Sequence, residues 1–129
     1  MAKIKKIETN EAPKAVGPYS QGTQVNGFIF VSGQLPVDPK TGQLVEEDIK
    51  VQTDRVIENI KSILKAAGLD LNHVVRCDVF LKDMNEFAAM NEVYAEFLGT
   101  VAPARSTVEV ARLPRNVRVL MEAVAVVEK

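Results

Sequence analysis

The chain has 129 residues, of which 47% are hydrophobic and 26% charged, and its net charge is −1. This length fits a single domain over residues 1–129, which can bury roughly two thirds of the surface of the unfolded chain. The composition is typical of a folded globular domain and argues against a disordered chain. The balanced charge lacks the basic field of a dedicated nucleic-acid-binding protein, so we expect no nucleic-acid partner.

The chain contains one cysteine, Cys77, and one histidine. One cysteine cannot form an intramolecular disulfide, and the two residues together fall short of the four ligands of a structural zinc site. The usual catalytic triads, haem ligation and iron–sulfur ligation are also poor fits. We therefore expect no metal site, and any chemistry must use arginine, tyrosine, serine, asparagine, carboxylate and backbone groups.

The first 13 residues have no long apolar run after their lysines, so they do not form a secretory signal. No stretch approaches the roughly 18 apolar residues that a membrane helix needs. These observations predict a cytoplasmic protein with no membrane partner.

The first half of the chain predicts a loop, a strand, a turn and a helix. Residues 11–27 have the composition of a loop with short extended pieces, residues 28–32 form a β-prone run, and residues 38–42 form a turn. Gly68 is a left-handed helix terminator. The helix before it is indicated by apolar residues at spacings of three and four, namely Val56, Ile57, Ile60, Ile63, Leu64 and Ala67.

The second half predicts a strand, a helix and two further strands. In the strand 74–82, Arg76 and Asp78 occupy one face, and the other face carries Val75, Cys77, Val79 and Leu81. Asp83 and Glu86 have the spacing of a capping box at the start of the second helix, which Gly99 ends. The apolar face of this helix comprises Phe87, Met90, Tyr94 and Phe97. Strands over 105–111 and 117–128 complete the chain, with a turn over 113–116.

This order of elements predicts a two-layer α+β domain in which both helices pack on one face of one sheet. The opposite sheet face carries many valine and isoleucine residues. Because a monomer would expose that face to water, we expect other subunits to cover it.

Arg105 is the strongest candidate for a functional side chain. It begins a strand directly after a loop stiffened by Pro103, and its planar guanidinium can bind a carboxylate through two parallel hydrogen bonds. The alternative is that Arg105 is an ordinary surface arginine.

Three weaker candidates are a tyrosine, a strand end and a helix amide. Tyr19 lies in a rigid loop and offers a hydroxyl, while Gly33 after Ser32 allows a ligand to approach the backbone. Asn91 lies on or beside the apolar face of the second helix, where its amide needs partners from a loop or a ligand. The alternatives are that Tyr19 is a packed loop aromatic and that Ser32 and Gly33 form a plain turn at the end of a strand. Cys77 is interpreted as a small buried hydrophobic residue.

Several segments together resemble the family of reactive intermediate deaminases, and in particular its RidA and YjgF subgroup. The resemblance covers nearly the whole chain in one order and spacing. It rests on residues 15–21 (AVGPYSQ), 31–36 (VSGQLP), 39–42 (PKTG), 66–68 (AAG), 79–84 (VFLKDM), 91–94 (NEVY) and 103–106 (PARS).

The resemblance implies a chorismate-mutase-like α+β fold, with one mixed sheet and two helices on one face. It also implies a homotrimer with clefts between neighbouring subunits. Members of this subgroup hydrolyse 2-imino acids such as 2-iminobutanoate, or their enamine tautomers, to 2-keto acids and ammonia. The reaction needs no cofactor in this family.

The resemblance assigns roles to individual positions. Arg105 corresponds to the arginine that binds the substrate carboxylate, and Tyr19 to the tyrosine that places substrate or water. Ser32 and Gly33 correspond to residues lining the pocket. Asn91 corresponds to an asparagine near the pocket. Thr107 corresponds to a position at which the family uses the backbone of the residue and not its side chain. Thr107 stands where many members have cysteine.

One position departs from the family pattern. Many members end with Glu-Ile-Glu-Ala, in which the first glutamate activates water, whereas this chain has Leu120-Met121-Glu122-Ala123. Glu122 is the remaining carboxylate, on the same strand face as Leu120 and about 7 Å away. The expected function is therefore imine hydrolysis, with Arg105, Tyr19 and Glu122 as catalytic residues.

Two alternatives remain open. A trimeric protein that binds keto acids or other carboxylates without turnover would need no water-activating group. The second alternative is a holdase or RNA-cleaving role, which is attributed to some relatives. The charge balance of the chain disfavours RNA recognition.

Overall fold

The computed structural model describes residues 2–127, which form a two-layer α+β domain. Residue 128, where the last predicted strand was expected to end, lies outside the described residues. In chain order the elements are β1 Lys5–Ile7, β2 Gly22–Val25, β3 Phe28–Gln34, α1 Ile49–Ala66, β4 Val74–Leu81, α2 Phe87–Leu98, β5 Ala104–Glu109 and β6 Val119–Val126.

The strands of this described part form one mixed sheet in the order β1-β2-β3-β6-β4-β5. Most neighbouring strands run antiparallel, whereas β4 and β5 run parallel. This parallel pair arises because α2 connects β4 to β5 as a crossover on one side of the sheet. The predicted α+β class with one mixed sheet and two helices is confirmed.

Helix α1 follows the predicted apolar stripe. The side chain of Asp48 accepts a hydrogen bond from the Val51 N–H at the N-terminus of the helix. At the other end Gly68 has a φ of +79°, and the N–H groups of Gly68 and Leu69 donate to the Lys65 and Leu64 carbonyls. These two bonds form a Schellman motif, which explains why glycine ends this helix. The stripe residues from Val56 to Leu64 are buried.

The segment 11–27 contains one of the predicted short extended pieces, strand β2. Strand β2 pairs with β3 as a hairpin whose turn residues, Asn26 and Gly27, both have positive φ. Asn-Gly favours this two-residue turn because both residues tolerate the left-handed region. Strand β3 also continues two residues beyond the predicted limit of residue 32, to Gln34.

One predicted strand face is wrong at its first residue. Cys77, Val79 and Leu81 are buried as predicted, but Val75 is 42% exposed. The cause is a β-bulge, because Val74 pairs with Ala125 whereas Arg76 pairs with the adjacent Val124. The extra residue reverses the facing of Val75 relative to the rest of the strand.

The predicted capping box at the second helix is also wrong in one partner. The Asp83 side chain accepts from the Asn85 N–H and begins a short 3₁₀ turn, Met84–Glu86, which precedes α2. The Glu86 carboxylate instead pairs with the Arg118 guanidinium at 2.9 Å. A charged pair with an arginine before β6 therefore replaces the local cap.

Both helices cover the same face of the sheet, and the opposite face is partly apolar and exposed. Phe28, Phe30 and Val108 on that outer face are each about 45% exposed. Its proposed covering by other subunits stays a prediction. No helix within residues 2–127 has the length and apolar character needed to cross a membrane.

Candidate active site

Arg105 lies on β5 and points to the helix side of the sheet. In the parallel pairing of β4 with β5, Arg105 is opposite Cys77 and Thr107 is opposite Val79. Since Cys77 and Val79 are both buried under the helices, Arg105 and Thr107 face α2. The crossover connection thus brings the edge strand and the helix together at Arg105.

Three residues of α2 hold the guanidinium of Arg105. Its carbon lies 4.6 Å from the centroid of the Tyr94 ring and 5.5 Å from that of Phe87. Its Nη1 donates a hydrogen bond of 2.6 Å to Asn91 Oδ1. Cation–π contacts and a charge-assisted hydrogen bond fix the plane of the group.

The charge of Arg105 has no carboxylate partner among residues 2–127. Asn91 is neutral, and the aromatic rings offer only their π faces. Arginine has five N–H donors, and the Asn91 bond uses one of them. A half-buried cation with unused donors is suited to bind an anionic ligand.

The groups beneath Arg105 are uncharged at neutral pH. Burial raises the pKa of the Cys77 thiol to about 12, and burial also raises the pKa of the Tyr94 hydroxyl. Neither a thiolate nor a phenolate therefore competes with a ligand for Arg105. The Thr107 hydroxyl oxygen is buried and has no hydrogen-bond partner in the described chain.

Tyr19, Ser32 and Gly33 form a second group near β3. Ser32 donates from its hydroxyl to the Ser20 carbonyl at 2.6 Å and from its N–H to the Gln21 carbonyl at 2.9 Å. These bonds attach the loop that carries Tyr19 to the strand. Tyr19 is 50% exposed, and its hydroxyl accepts from a neighbouring loop N–H.

A β-bulge lies in the Ser32–Gly33 segment. Val31 pairs with Ala123 and Gln34 with Met121, so three steps on β3 match two steps on β6. A bulge redirects backbone and side chains locally, and such irregularities are common beside functional sites.

Leu120 and Glu122 lie on the outer face of β6. A Cβ atom added to Gly33 would lie 2.9 Å from Leu120 Cδ2, so Leu120 packs directly on the bulge. Glu122 is exposed and opposite Asp78 in the sheet. The two residues share a face, as the spacing predicts, but that face is opposite to the one carrying Arg105.

One chain does not bring all the predicted residues together. Strands β6 and β4 separate β3 from β5, which places the two groups about 14 Å apart across the sheet. Arg105, Asn91 and Thr107 gather at one edge, on the helix side. Tyr19, Ser32 and Gly33 gather around β3.

A cleft of about 640 Å³ opens next to Tyr19 and Gly33, and it extends along the loop between β3 and α1. This volume is within the range of small-molecule sites. Among residues 2–127 no group of three or more His, Cys, Asp and Glu side chains could hold a metal ion.

The sequence pattern missed the role of Tyr94 and Phe87. Both were assigned only to the apolar face of α2, yet their rings hold the Arg105 guanidinium. Phe87, Asn91 and Tyr94 have the spacing i, i+4 and i+7, so they form one stripe on the helix. The Asn91 amide within this otherwise apolar stripe was the sequence signal that could have indicated a functional role for the stripe.

Comparison with known proteins identifies the family. The family model described as Endoribonuclease L-PSP matches residues 9–127. The chain is 60% identical over 119 residues to a RutC family protein of Pyrococcus abyssi, covering 92% of this chain and 94% of that protein. It is 48% identical over 125 residues to the 2-iminobutanoate/2-iminopropanoate deaminase of Salmonella typhimurium, covering 95% and 97%.

The solved structure of Escherichia coli TdcF with bound serine has a TM-score of 0.91 to this chain. The two are 44% identical, and the match covers 96% of this chain and 99% of that chain. The chain therefore belongs to the endoribonuclease L-PSP family. The resemblance to its RidA and YjgF members is confirmed.

The buried Cys77 thiol allows a direct test of the packing beneath Arg105. Since its pKa is about 12, Cys77 stays protonated and unreactive toward iodoacetamide at about pH 8. We expect no labelling of the folded protein over hours and complete labelling in denaturant, measured by mass spectrometry. Rapid labelling of the folded protein would contradict the closed packing between β4 and α2.

Proposed function

We propose that the protein hydrolyses reactive 2-imino acids, and their enamine tautomers, to 2-keto acids and ammonia. The observation that carries this proposal is the Arg105 guanidinium, fixed by Asn91 and two rings and left without a carboxylate partner in residues 2–127. A planar fork in this state suits the carboxylate of an imino acid. The name of the Salmonella typhimurium relative and the serine bound to TdcF, itself an amino acid, agree with such a ligand.

The proposed reaction begins when Arg105 binds the carboxylate and withdraws electron density from the neighbouring imine carbon. Water adds to that carbon, forming a C–O bond and a tetrahedral intermediate. The C–N bond then breaks, and the nitrogen leaves as ammonia with two protons supplied by water. Holding substrate and water together lowers the entropic part of the barrier. Tyr19 is proposed to place the water or the substrate.

We further propose that a second copy of the chain completes the site, in a homotrimer with sites between subunits. Arg105, Asn91 and Thr107 would come from one copy, and Tyr19 with the Ser32–Gly33 bulge from its neighbour. Their separation within one chain supports this arrangement. The exposed aromatic residues of the outer sheet face also support it, because association would bury them.

Replacing Arg105 by alanine removes the carboxylate-binding fork. We expect kcat/KM for 2-iminobutanoate to fall about 100-fold or more, since charge-assisted hydrogen bonds are each worth about 1.5–3 kcal/mol. Threonine dehydratase can generate the imine in the presence of semicarbazide, and suppression of semicarbazone reports the activity. Arg112→Ala, an exposed arginine beyond β5, is the matched control and should retain full activity. Full turnover by Arg105→Ala would reject the proposal.

Mixing two defective variants tests whether the site spans two copies. Arg105→Ala and Tyr19→Ala chains, co-expressed with different tags and purified through both, should form mixed assemblies. In a cyclic trimer that contains both variants, one site in three joins an intact Arg105 to an intact Tyr19. We expect activity clearly above the sum of the separate variants. Activity equal to that sum would indicate a site contained within one chain.

A second candidate function is binding of keto acids without turnover. The observation that favours it is Leu120, an apolar residue packed on Gly33 at the position where the family pattern has a glutamate. Glu122 is the nearest carboxylate on that strand face. In this alternative Arg105 still binds the ligand carboxylate, but no group activates water.

Leu120→Glu distinguishes the two functions. If a carboxylate at this position can act as a general base, kcat for imine hydrolysis should rise about tenfold or more, with KM little changed. Leu120→Gln has similar size without the charge and should not reproduce the gain. If the natural chain hydrolyses the imine and Leu120→Glu does not change the rate, a carboxylate at this position is unimportant here. Binding of 2-ketobutanoate without turnover in the natural chain would select the second function.

A further inference from the structure

The cleft beside Tyr19 and Gly33 has a strongly positive lining. Lys14, Lys40 and Arg115 line it, and no aspartate or glutamate is among its lining residues in the described chain. The chain as a whole has a net charge of −1, so this local excess of three positive charges is not a property of the entire surface. Such a cleft attracts anions.

The three cations are not neutralised by neighbouring acids. None of them forms an ion pair within residues 2–127. Asp38 is the acid nearest to Lys40 in the sequence, but its carboxylate accepts the backbone N–H of Lys40 at 2.8 Å and does not line the cleft. Glu11, the acid nearest to Lys14 in the sequence, pairs with Lys65 and does not line the cleft either. The ammonium and guanidinium groups therefore remain available to a ligand.

The backbone at Arg115 is strained in a way that side-chain packing does not explain. Arg115 has a φ of +55° and Asn116 a φ of +57°, both in the left-handed region that disfavours residues other than glycine and asparagine. Arg115 is exposed, so no buried contact compensates for this conformation. The left-handed backbone of Arg115 at a cleft motivates the hypothesis that this position has a function.

The size of the cleft also exceeds the needs of the simplest substrates. A small 2-imino acid with a methyl or ethyl side chain fills only a fraction of about 640 Å³. The proposed carboxylate-binding residue, Arg105, lies in the other group of site residues, so the cleft cations are free to contact a different part of the ligand.

We propose that this cleft binds a second carboxylate, so that the preferred ligands are dicarboxylic 2-imino and 2-keto acids. Arg115 binds the terminal carboxylate through its planar fork, and Lys40 adds a second charge. The proposal rests on the proposed function, because it takes the first carboxylate to be held by Arg105 of the neighbouring copy, next to the cleft of this one.

Two keto acids of equal chain length isolate the terminal carboxylate. Titration calorimetry compares 2-oxopentanedioate with 2-oxopentanoate, which differ at that end only. For the natural chain we expect the dicarboxylate to bind about tenfold more tightly, and this ratio to shrink between about 50 and about 500 mM sodium chloride. Equal affinities, or a ratio that salt does not change, would overturn the proposal.

Paired variants assign the effect to the cleft. Arg115→Asn with Lys40→Gln removes two charges, and asparagine tolerates the left-handed backbone at position 115. The ratio of affinities should fall to about one, while 2-oxopentanoate binding and the melting temperature stay unchanged. Lys3→Gln with Lys61→Gln removes two exposed charges elsewhere and should preserve the ratio. A ratio that survives in the cleft variant would overturn the proposal, as would equally tight binding of inorganic phosphate.

Turnover is measured separately so that the two proposals can fail independently. An amino-acid oxidase generates the matching imino acids from glutamate and norvaline. Selective binding without turnover of either imine supports the dicarboxylate cleft and rejects the deaminase function. Turnover with no preference between the two imines, together with equal affinities, supports the deaminase function and rejects the cleft proposal.

Discussion

The stacking of Arg105 on Tyr94 joins the edge of the sheet to helix α2. The contact depends on the parallel pairing of β4 and β5, because the crossover places α2 directly over the start of β5. Asn91 then fixes the orientation of the guanidinium, and the neutral Cys77 thiol lies beneath it. The packing of β4, β5 and α2 thus fixes the position of Arg105 and leaves its charge without a carboxylate partner in the described chain.

Local signals in the sequence were sufficient for most of the fold. Helix α1 was predicted because its apolar stripe and its Gly68 terminator agree with each other, whereas its N-terminal cap, Asp48, was not predicted. The facing of Val75 could not be predicted, since the bulge is a property of the pairing with β6. The partner of Glu86 was missed for a similar reason. A carboxylate at the right spacing predicts a local cap, but the distant Arg118 provides a charged partner.

The candidate site was predictable as a set of residues and not as an arrangement. Arg105 and Asn91 were selected separately, and only the folded chain shows the hydrogen bond between them. Spacing along a helix indicates which side chains share a face, but it does not identify the strand that the face meets. The cationic cleft was missed altogether, because Lys14, Lys40 and Arg115 lie far apart in the sequence. Loop geometry brings them together.

The burial of Cys77 has a consequence for the behaviour of the protein in an oxidising or electrophilic environment. Oxidants and electrophiles react with accessible thiolates, and the sulfur of this chain is neither accessible nor ionised. Arg105, for which we propose carboxylate binding, lies above a thiol that such reagents do not reach. The proposed binding at Arg105 should therefore continue under conditions that inactivate enzymes depending on a reactive cysteine, because the single cysteine of this sequence is buried and protonated.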